Sequence, residues 1–185
     1  FHCEAEVALV IGKPAKGVKK ADAMDHVFGY TGFMDISARI AIRGAQSYFQ
    51  AKSWATFGPM GPFLVTADEV RDPQNLQVKL WVNGELHQNY NTSDMGHQIP
   101  RIIEWSSSIV KLEPGDLISC GTNHQGIGPL QDGDLVEMEA QGLGTLNIRV
   151  RDDLKREWPR GIDHATADRV AGRATSGGFG LPVHP

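Results

Sequence analysis

Apolar and polar positions fall into short blocks along this chain, and the period within the blocks is mostly that of a strand. Ala5 to Ile11 is β-branched and apolar on both faces, the pattern of a buried strand, and Gly12-Lys13-Pro14 ends it. Lys19 to Val27 places Ala21, Met24 and Val27 or Phe28 at helical spacing, which predicts a short amphipathic helix. Gly29 to Arg39 favours an extended chain through Tyr30, Thr31, Phe33 and Ile36. Ala41 to Gln50 reads as a solvent-exposed connection, and Gly58, Pro59, Gly61 and Pro62 enforce a stiff turn before a strand from Phe63 to Thr66. Leu76 to Val82 alternates apolar with polar, and Asn83-Gly84 turns it into Glu85 to Tyr90, the clearest hairpin in the chain. Asn91-Thr92-Ser93-Asp94 reads as a capping cluster for a helix from Gln98 to Ser107, with Ile99, Ile102, Ile103 and Ser106 inward and Pro100 in its first turn. Asp116 to Cys120, Leu135 to Ala140 and Thr145 to Val150 predict further strands between glycine turns. No βαβ alternation is present, so the class is α+β and β-rich rather than doubly wound.

After Arg151 the pattern stops. Residues 151–185 are polar, contain Gly and Pro, and are expected to form a C-terminal arm or tail, leaving 1–150 as the one folded domain. A charged fraction of 22% and a formal net charge of −4 advertise no basic face, so neither nucleic acid nor an anionic membrane is an expected partner. The apolar runs are too short to span a bilayer. Cys3 and Cys120 do not make a disulfide framework or a zinc motif; they read as reduced, buried thiols of a cytoplasmic protein.

Polar residues inside the strand blocks are the candidates for chemistry. Glu4 and Glu6 project from one side of the first strand, about 6.6 Å apart along it. Two like charges that close need a cation or basic side chains between them, unless they simply end the strand in water. Asp35 sits among apolar neighbours, either as a functional carboxylate or as a cap for a helix begun by Ser37 and Ala38. Lys52 stands ahead of the stiff Gly/Pro turn, where little freedom remains to be lost in positioning it; the alternative is a solvated lysine. Gly121 to Gly128 is a glycine-punctuated polar loop able to cradle an anion, although it lacks the Lys and Ser/Thr of a phosphate loop.

E-x-E in the first strand, M-D-I-S-A-R, A-K-S-W-x-T-F-G-P-x-G-P, V-N-G-E-x-x-Q, N-T-S-D-M, L-x-P-G-D-L-I-x-x-G-T and D-G-D-x-V-E-x-x-x-x-G-L-G follow one another in the order found in the fumarylacetoacetate hydrolase family. From Glu4 to about Val150 the chain resembles that family's C-terminal catalytic domain. The resemblance implies a β-rich fold of mixed β-sheets with a few short helices, and a homodimer. It also implies a metal site of Glu4, Glu6 and Asp35 holding Mg²⁺, with Mn²⁺ or Ca²⁺ as the other cations used. Hard carboxylate oxygens suit these ions. Lys52 matches the lysine beside the substrate, and Thr122, next to Gly121 in the G-T loop, matches a contact to the substrate's carboxylate end.

The implied activity is metal-dependent hydrolysis of the C–C bond of a diketo acid, of acylpyruvate or fumarylpyruvate type, in the breakdown of aromatic compounds. The same enolate chemistry also serves decarboxylases, tautomerases and dehydratases, so a lyase or isomerase is the alternative. Three departures mark this chain. Ala55 replaces the Asp that many members have after K-S-x. Asn123-His124-Gln125 replaces the more usual T-P-x-G-V loop and makes His124 a candidate substrate contact. The metal strand also begins almost at Phe1, whereas members commonly carry a preceding segment with lid and acid/base groups; within these residues His2, on the face of Glu4, is the candidate base.

Overall fold

The computed structural model describes residues 1–39 and 48–170. Along the chain run β1 (His2–Ile11), β2 (Val27–Ser37), α1 (Tyr48–Lys52), β3 (Met60–Thr66), β4 (Gln77–Val82), β5 (Glu85–Asn91), α2 (Ile99–Ile109), β6 (Leu117–Ser119), β7 (Leu135–Ala140), β8 (Gly144–Arg149) and α3 (His164–Val170). The strands form two four-stranded sheets, ordered β3-β2-β1-β6 and β5-β4-β7-β8. Among the described residues every strand pairing is antiparallel, so the mixed sheets of the resemblance resolve into two antiparallel ones.

Strand alternation builds one core between them. Cys3, Ala5, Val7 and Leu9 of β1 and Tyr30 and Met34 of β2 join Val78, Leu80 and Val82 of β4 and Val136, Met138 and Ala140 of β7 in a single buried cluster. Each large side chain in it contributes roughly 1.5–3 kcal/mol relative to exposure in water. At the hairpin, Asn83 and Gly84 have φ of 52° and 82°, the type I′ turn whose twist matches the strands it joins.

Several local readings change. The amphipathic helix is a 3-10 segment over Lys20–His26, with only Ala23 buried. Asp35 caps no helix, because β2 continues through it to Ser37. Of the connection placed at Ala41 to Gln50, residues 41–47 lie outside the described residues, and 48–50 are the exposed start of α1. The cluster after β5 does not cap α2 either: Asn91 accepts from Ser93 N at 2.9 Å and caps the 3-10 turn Thr92–Asp94. The amide of Ile99 at the start of α2 is instead satisfied by Gln74 Oε1 at 2.6 Å. The inner face of α2 is Ile99, Ile103 and Ser107 rather than Ser106, because the Ser107 hydroxyl accepts from Val18 N at 3.0 Å and ties the helix to the turn after β1.

Beyond Arg151 the described part of the tail folds back on the domain. Trp158 Nε1 donates to Leu130 O at 2.7 Å, Asp163 N to Ile127 O at 2.9 Å, and Arg160 pairs with the buried Asp134. The rest of the expected tail, residues 171–185, lies outside the described residues. Cys3 is buried and Cys120 half-buried, and both are free thiols. Among the described residues no helix is long and apolar enough to cross a membrane.

Candidate metal centre

The register of β1 against β2 sets this site. Glu4 lies directly opposite Asp35, and Glu6 opposite Phe33, so the three carboxylates leave the sheet from one face while Cys3, Ala5 and Val7 fill the core from the other. One oxygen each from Glu4, Glu6 and Asp35 lies within 4.8 Å of the others. Glu4 and Glu6 are only 3% and 4% exposed, which excludes a wet strand end.

Basic side chains reach two of the three. Lys52, the last residue of α1, donates to Glu4 Oε2 at 3.1 Å, to Asp35 Oδ2 and to Ser37 Oγ at 2.5 Å. Arg39 donates to Glu4 Oε1, which also lies 3.3 Å from His124 Nε2. Burial pushes the Glu4 carboxyl up, but the His124 bond and the Arg39 and Lys52 charges outweigh it and hold Glu4 well below the ordinary carboxylate range. For Asp35 burial wins over Lys52, and its pKa is raised. No ion pair reaches Glu6 among the described residues; it accepts from Ser119 Oγ and, at 3.0 Å, from Gly121 N. Burial first, with the Asp35 and Glu4 charges behind it, pushes Glu6 up to about 7 against the pull of the Ser119 and Gly121 bonds. Three hard oxygen donors this close, one of them lacking any counter-charge, fit a divalent cation: it would supply the charge that Lys52 and Arg39 do not.

The backbone between the two glutamates is held from the second sheet. Near Ala5, β1 has no neighbouring strand on its β6 side, because β6 pairs only with Ala8 to Val10. Side chains of β5 take that place: Gln88 Oε1 accepts from Ala5 N at 2.8 Å, and Tyr90 OH donates to Ala5 O at 2.6 Å. The wholly buried Gln88 also donates through Nε2 to Thr122 Oγ1 at 3.1 Å, so one amide fixes both the metal strand and the polar loop. That loop packs closely on β5: at Gly126, φ 76°, a Cβ would stand 1.5 Å from His87 O, so only glycine fits. Gln88→Leu leaves the Ala5 amide without its partner and takes one of two from the Thr122 hydroxyl, which also bonds Tyr90. It is expected to lower stability by about 1–3 kcal/mol in urea denaturation.

The residues singled out from sequence are thus distributed unevenly. Glu4, Glu6, Asp35, Lys52 and His124 converge. Thr122 stands behind them on Gln88, and Gly121 spends its N–H on Glu6. His2 shares the face of Glu4, but Arg39 Nε donates to its Nδ1 at 3.4 Å and its Nε2 lies 3.9 Å from Asp163 Oδ2. Burial, then the Arg39 charge, lowers the His2 pKa to about 4, so the ring is neutral near pH 7. Sequence reading passed over Arg39, Ser37, Gln88, Tyr90 and Ser119. Arg39 and Gln88 fall inside the family motifs, Ser37 reads as a helix start, and Tyr90 and Ser119 read as strand residues; local pattern gives none of them a role.

Residues 1–151 match the family model described as the fumarylacetoacetate (FAA) hydrolase C-terminal domain. A mitochondrial oxaloacetate tautomerase from Xenopus laevis is 42% identical over 153 residues, 78% of this chain and 48% of that protein. Among solved structures, a 5-carboxymethyl-2-hydroxymuconate delta-isomerase from Mycobacterium smegmatis is 41% identical with a TM-score of 0.77, covering 81% of this chain and 58% of that one. A maleylpyruvate hydrolase from Sphingobium sp. SYK-6, in complex with manganese(II) and pyruvate, is 39% identical with a TM-score of 0.74 and covers 81% and 54%. The chain spans about half to three fifths of the length of the curated relatives it matches. The three named relatives are, by their names, a tautomerase, an isomerase and a hydrolase.

Proposed function

Because this chain belongs to the fumarylacetoacetate hydrolase family, we propose that its three-carboxylate site works on a 2-oxo acid by forming an enolate, with C–C hydrolysis of an acylpyruvate-type diketo acid as the overall reaction. The observation that carries the proposal is the placing of Glu4, Glu6 and Asp35 within 4.8 Å of one another with the Lys52 ammonium against two of them. Glu4, Glu6 and Asp35 would hold Mg²⁺ or Mn²⁺. When bound, such an ion would polarise a carbonyl of the substrate as a Lewis acid.

The chain's own groups supply the rest. Lys52 presents a fixed positive charge where negative charge develops on an enolate oxygen, in a site whose carboxylates are already shielded from water. The Thr122 hydroxyl accepts from Gln88 and also bonds the Tyr90 phenol, so the loop that carries it is held from two sides for a substrate carboxylate. His124, part-exposed and 3.3 Å from Glu4 Oε1, adds a further donor beside the carboxylates. In hydrolysis, water adds to the carbonyl remote from the carboxylate, and the electron pair of the broken C–C bond passes to the pyruvate part as its enolate. A proton then returns to carbon. Maleylpyruvate or a simple acylpyruvate with Mn²⁺ is expected to lose its diketo-acid absorbance and yield two acids; a panel left intact overturns this reading.

A second reading has its own support. Arg39 donates to Nδ1 of His2, the nitrogen that a neutral imidazole would use as a base, so the group expected to activate water is occupied, and keto–enol tautomerisation needs no water. Faster ketonisation of enol-oxaloacetate with no cleavage products would select that reading.

Assembly as a homodimer is part of the proposal. The edge strand β3 exposes Met60, Phe63 and Leu64, at 61%, 65% and 48%, beside its unpaired backbone. Such an edge pairs with a second strand unless it is blocked, and a second copy offers the same apolar residues in return. Light scattering should show a dimer that Phe63→Lys converts to monomer with its circular dichroism unchanged; a wild-type monomer removes the dimer from the proposal. The two free thiols fit a reducing, cytoplasmic setting.

A further inference from the structure

One contact joins the metal strand to chain beyond the residues that match the family: the buried His2 and the part-exposed Asp163 lie 3.9 Å apart. The family match ends at residue 151, yet Asp163 faces the first residue pair of β1. Its backbone is pinned there: Asp163 N donates to Ile127 O at 2.9 Å, and Trp158 Nε1 of the same segment donates to Leu130 O at 2.7 Å. Leu130 N in turn donates to Phe1 O at 2.8 Å, and Pro129 bridges His2.

The ring of His2 links this segment to Glu4. A guanidinium only donates, so the Arg39 Nε–His2 Nδ1 contact of 3.4 Å makes Nδ1 the acceptor. The ring proton of that tautomer is then on Nε2, the nitrogen 3.9 Å from Asp163 Oδ2. Arg39 uses its other arm on Glu4 Oε1. Resting on the metal-site reading above, we propose that Asp163 is a positioning residue of the metal centre: its carboxylate selects the His2 tautomer, His2 orients Arg39, and Arg39 sets the Glu4 ligand. Residues 152–170 are therefore part of the site's support. Outer partners of this kind fix ligand orientation, and the chain here is two residues longer than a direct partner.

Asp163 has a second role that the test must hold constant. Its Oδ1 accepts from Thr166 N at 2.9 Å at the start of α3. Asparagine performs that capping equally well but loses the charge facing His2. Mn²⁺ binding, followed by electron paramagnetic resonance titration of the full chain, is expected to weaken about 3- to 10-fold in Asp163→Asn, below the 10- to 100-fold seen for direct partners. The metal-free melting temperature should stay unchanged. His2→Ala is expected to weaken Mn²⁺ at least as much, and the double variant no more than His2→Ala alone, because coupled residues do not add. Trp158→Phe, which loosens the same segment away from Asp163, should bind Mn²⁺ as wild type does. Unchanged affinity in Asp163→Asn, additive losses in the double variant, or an equal loss in Trp158→Phe overturns the relay while leaving the metal site standing. A wild-type chain that takes up no Mn²⁺ overturns both.

Discussion

Glu6→Gln is expected to lower turnover of a 2-oxo acid by about 100-fold or more, since it removes a ligand itself where loss of an outer partner already costs about 10- to 100-fold. The substitution keeps the shape of the side chain and its bonds from Ser119 and Gly121, and removes only the charge that no cation among the described residues reaches. Its effect on stability should have the opposite sign in the metal-free protein. Burial first, and then the neighbouring carboxylates, raise Glu6 from its ordinary 4.5 to about 7. A carboxyl raised in this way favours the fold while protonated: that contribution is complete below about pH 4.5 and is lost as pH rises through about 7. In chelator at pH 8, Glu6→Gln should therefore melt above wild type, and the difference should shrink toward pH 5. Saturating Mn²⁺ should reverse the order, because a ligand that binds only the folded state stabilises by about 2.7 kcal/mol at one hundred times its dissociation constant. Scanning fluorimetry with and without metal at both pH values reads all four conditions. A variant that Mn²⁺ stabilises as much as wild type would remove Glu6 from the metal site.

Lys52→Met should separate catalysis from metal binding. The ammonium lies against Glu4 and Asp35, and in the reaction it faces charge that grows toward the transition state. Removing such a preorganised charge commonly costs about 10²- to 10³-fold in kcat. The same removal relieves repulsion between Lys52 and a bound cation, so Mn²⁺ affinity should hold or rise. Arginine at this position should not restore activity, since a planar fork cannot reproduce a point charge among three oxygens, those of Glu4, Asp35 and Ser37. Steady-state kinetics paired with a metal titration distinguishes this from general damage, in which kcat and metal affinity would fall together.

Alternation and turn chemistry carried most of what was legible beforehand. β7 spans Leu135 to Ala140, the predicted range, and the Asn83-Gly84 hairpin joins β4 to β5 as read. Both signals are local, and so is the shared face of Glu4 and Glu6. Asp35 was different: only strand register, set across the whole β1–β2 pair, puts it opposite Glu4, and periodicity holds no register between strands so far apart in sequence. Motif order substituted for that missing information. What stayed hidden were side chains acting on distant backbone. Gln74 caps α2 and Gln88 serves Ala5, yet a glutamine inside an alternating strand or a loop looks the same whether it is solvated or wholly buried. Asp163 escaped for the related reason that a polar, Gly- and Pro-containing stretch reads as tail until its partners are known.

The amide of Ala5 offers a consequence of its own. It belongs to the one residue between the two glutamates, and it is held by the side chain of Gln88 rather than by a neighbouring strand. Exchange of its hydrogen with solvent deuterium therefore requires the packing around the buried Gln88 to open locally, without the β1–β2 ladder separating. In a labelled sample Ala5 should exchange faster than the strand-paired amides of β1 and slow further when substrate pins Thr122, the other group Gln88 holds. A single nuclear resonance would then report occupancy of the pocket from inside the protein, with no need for a coloured product.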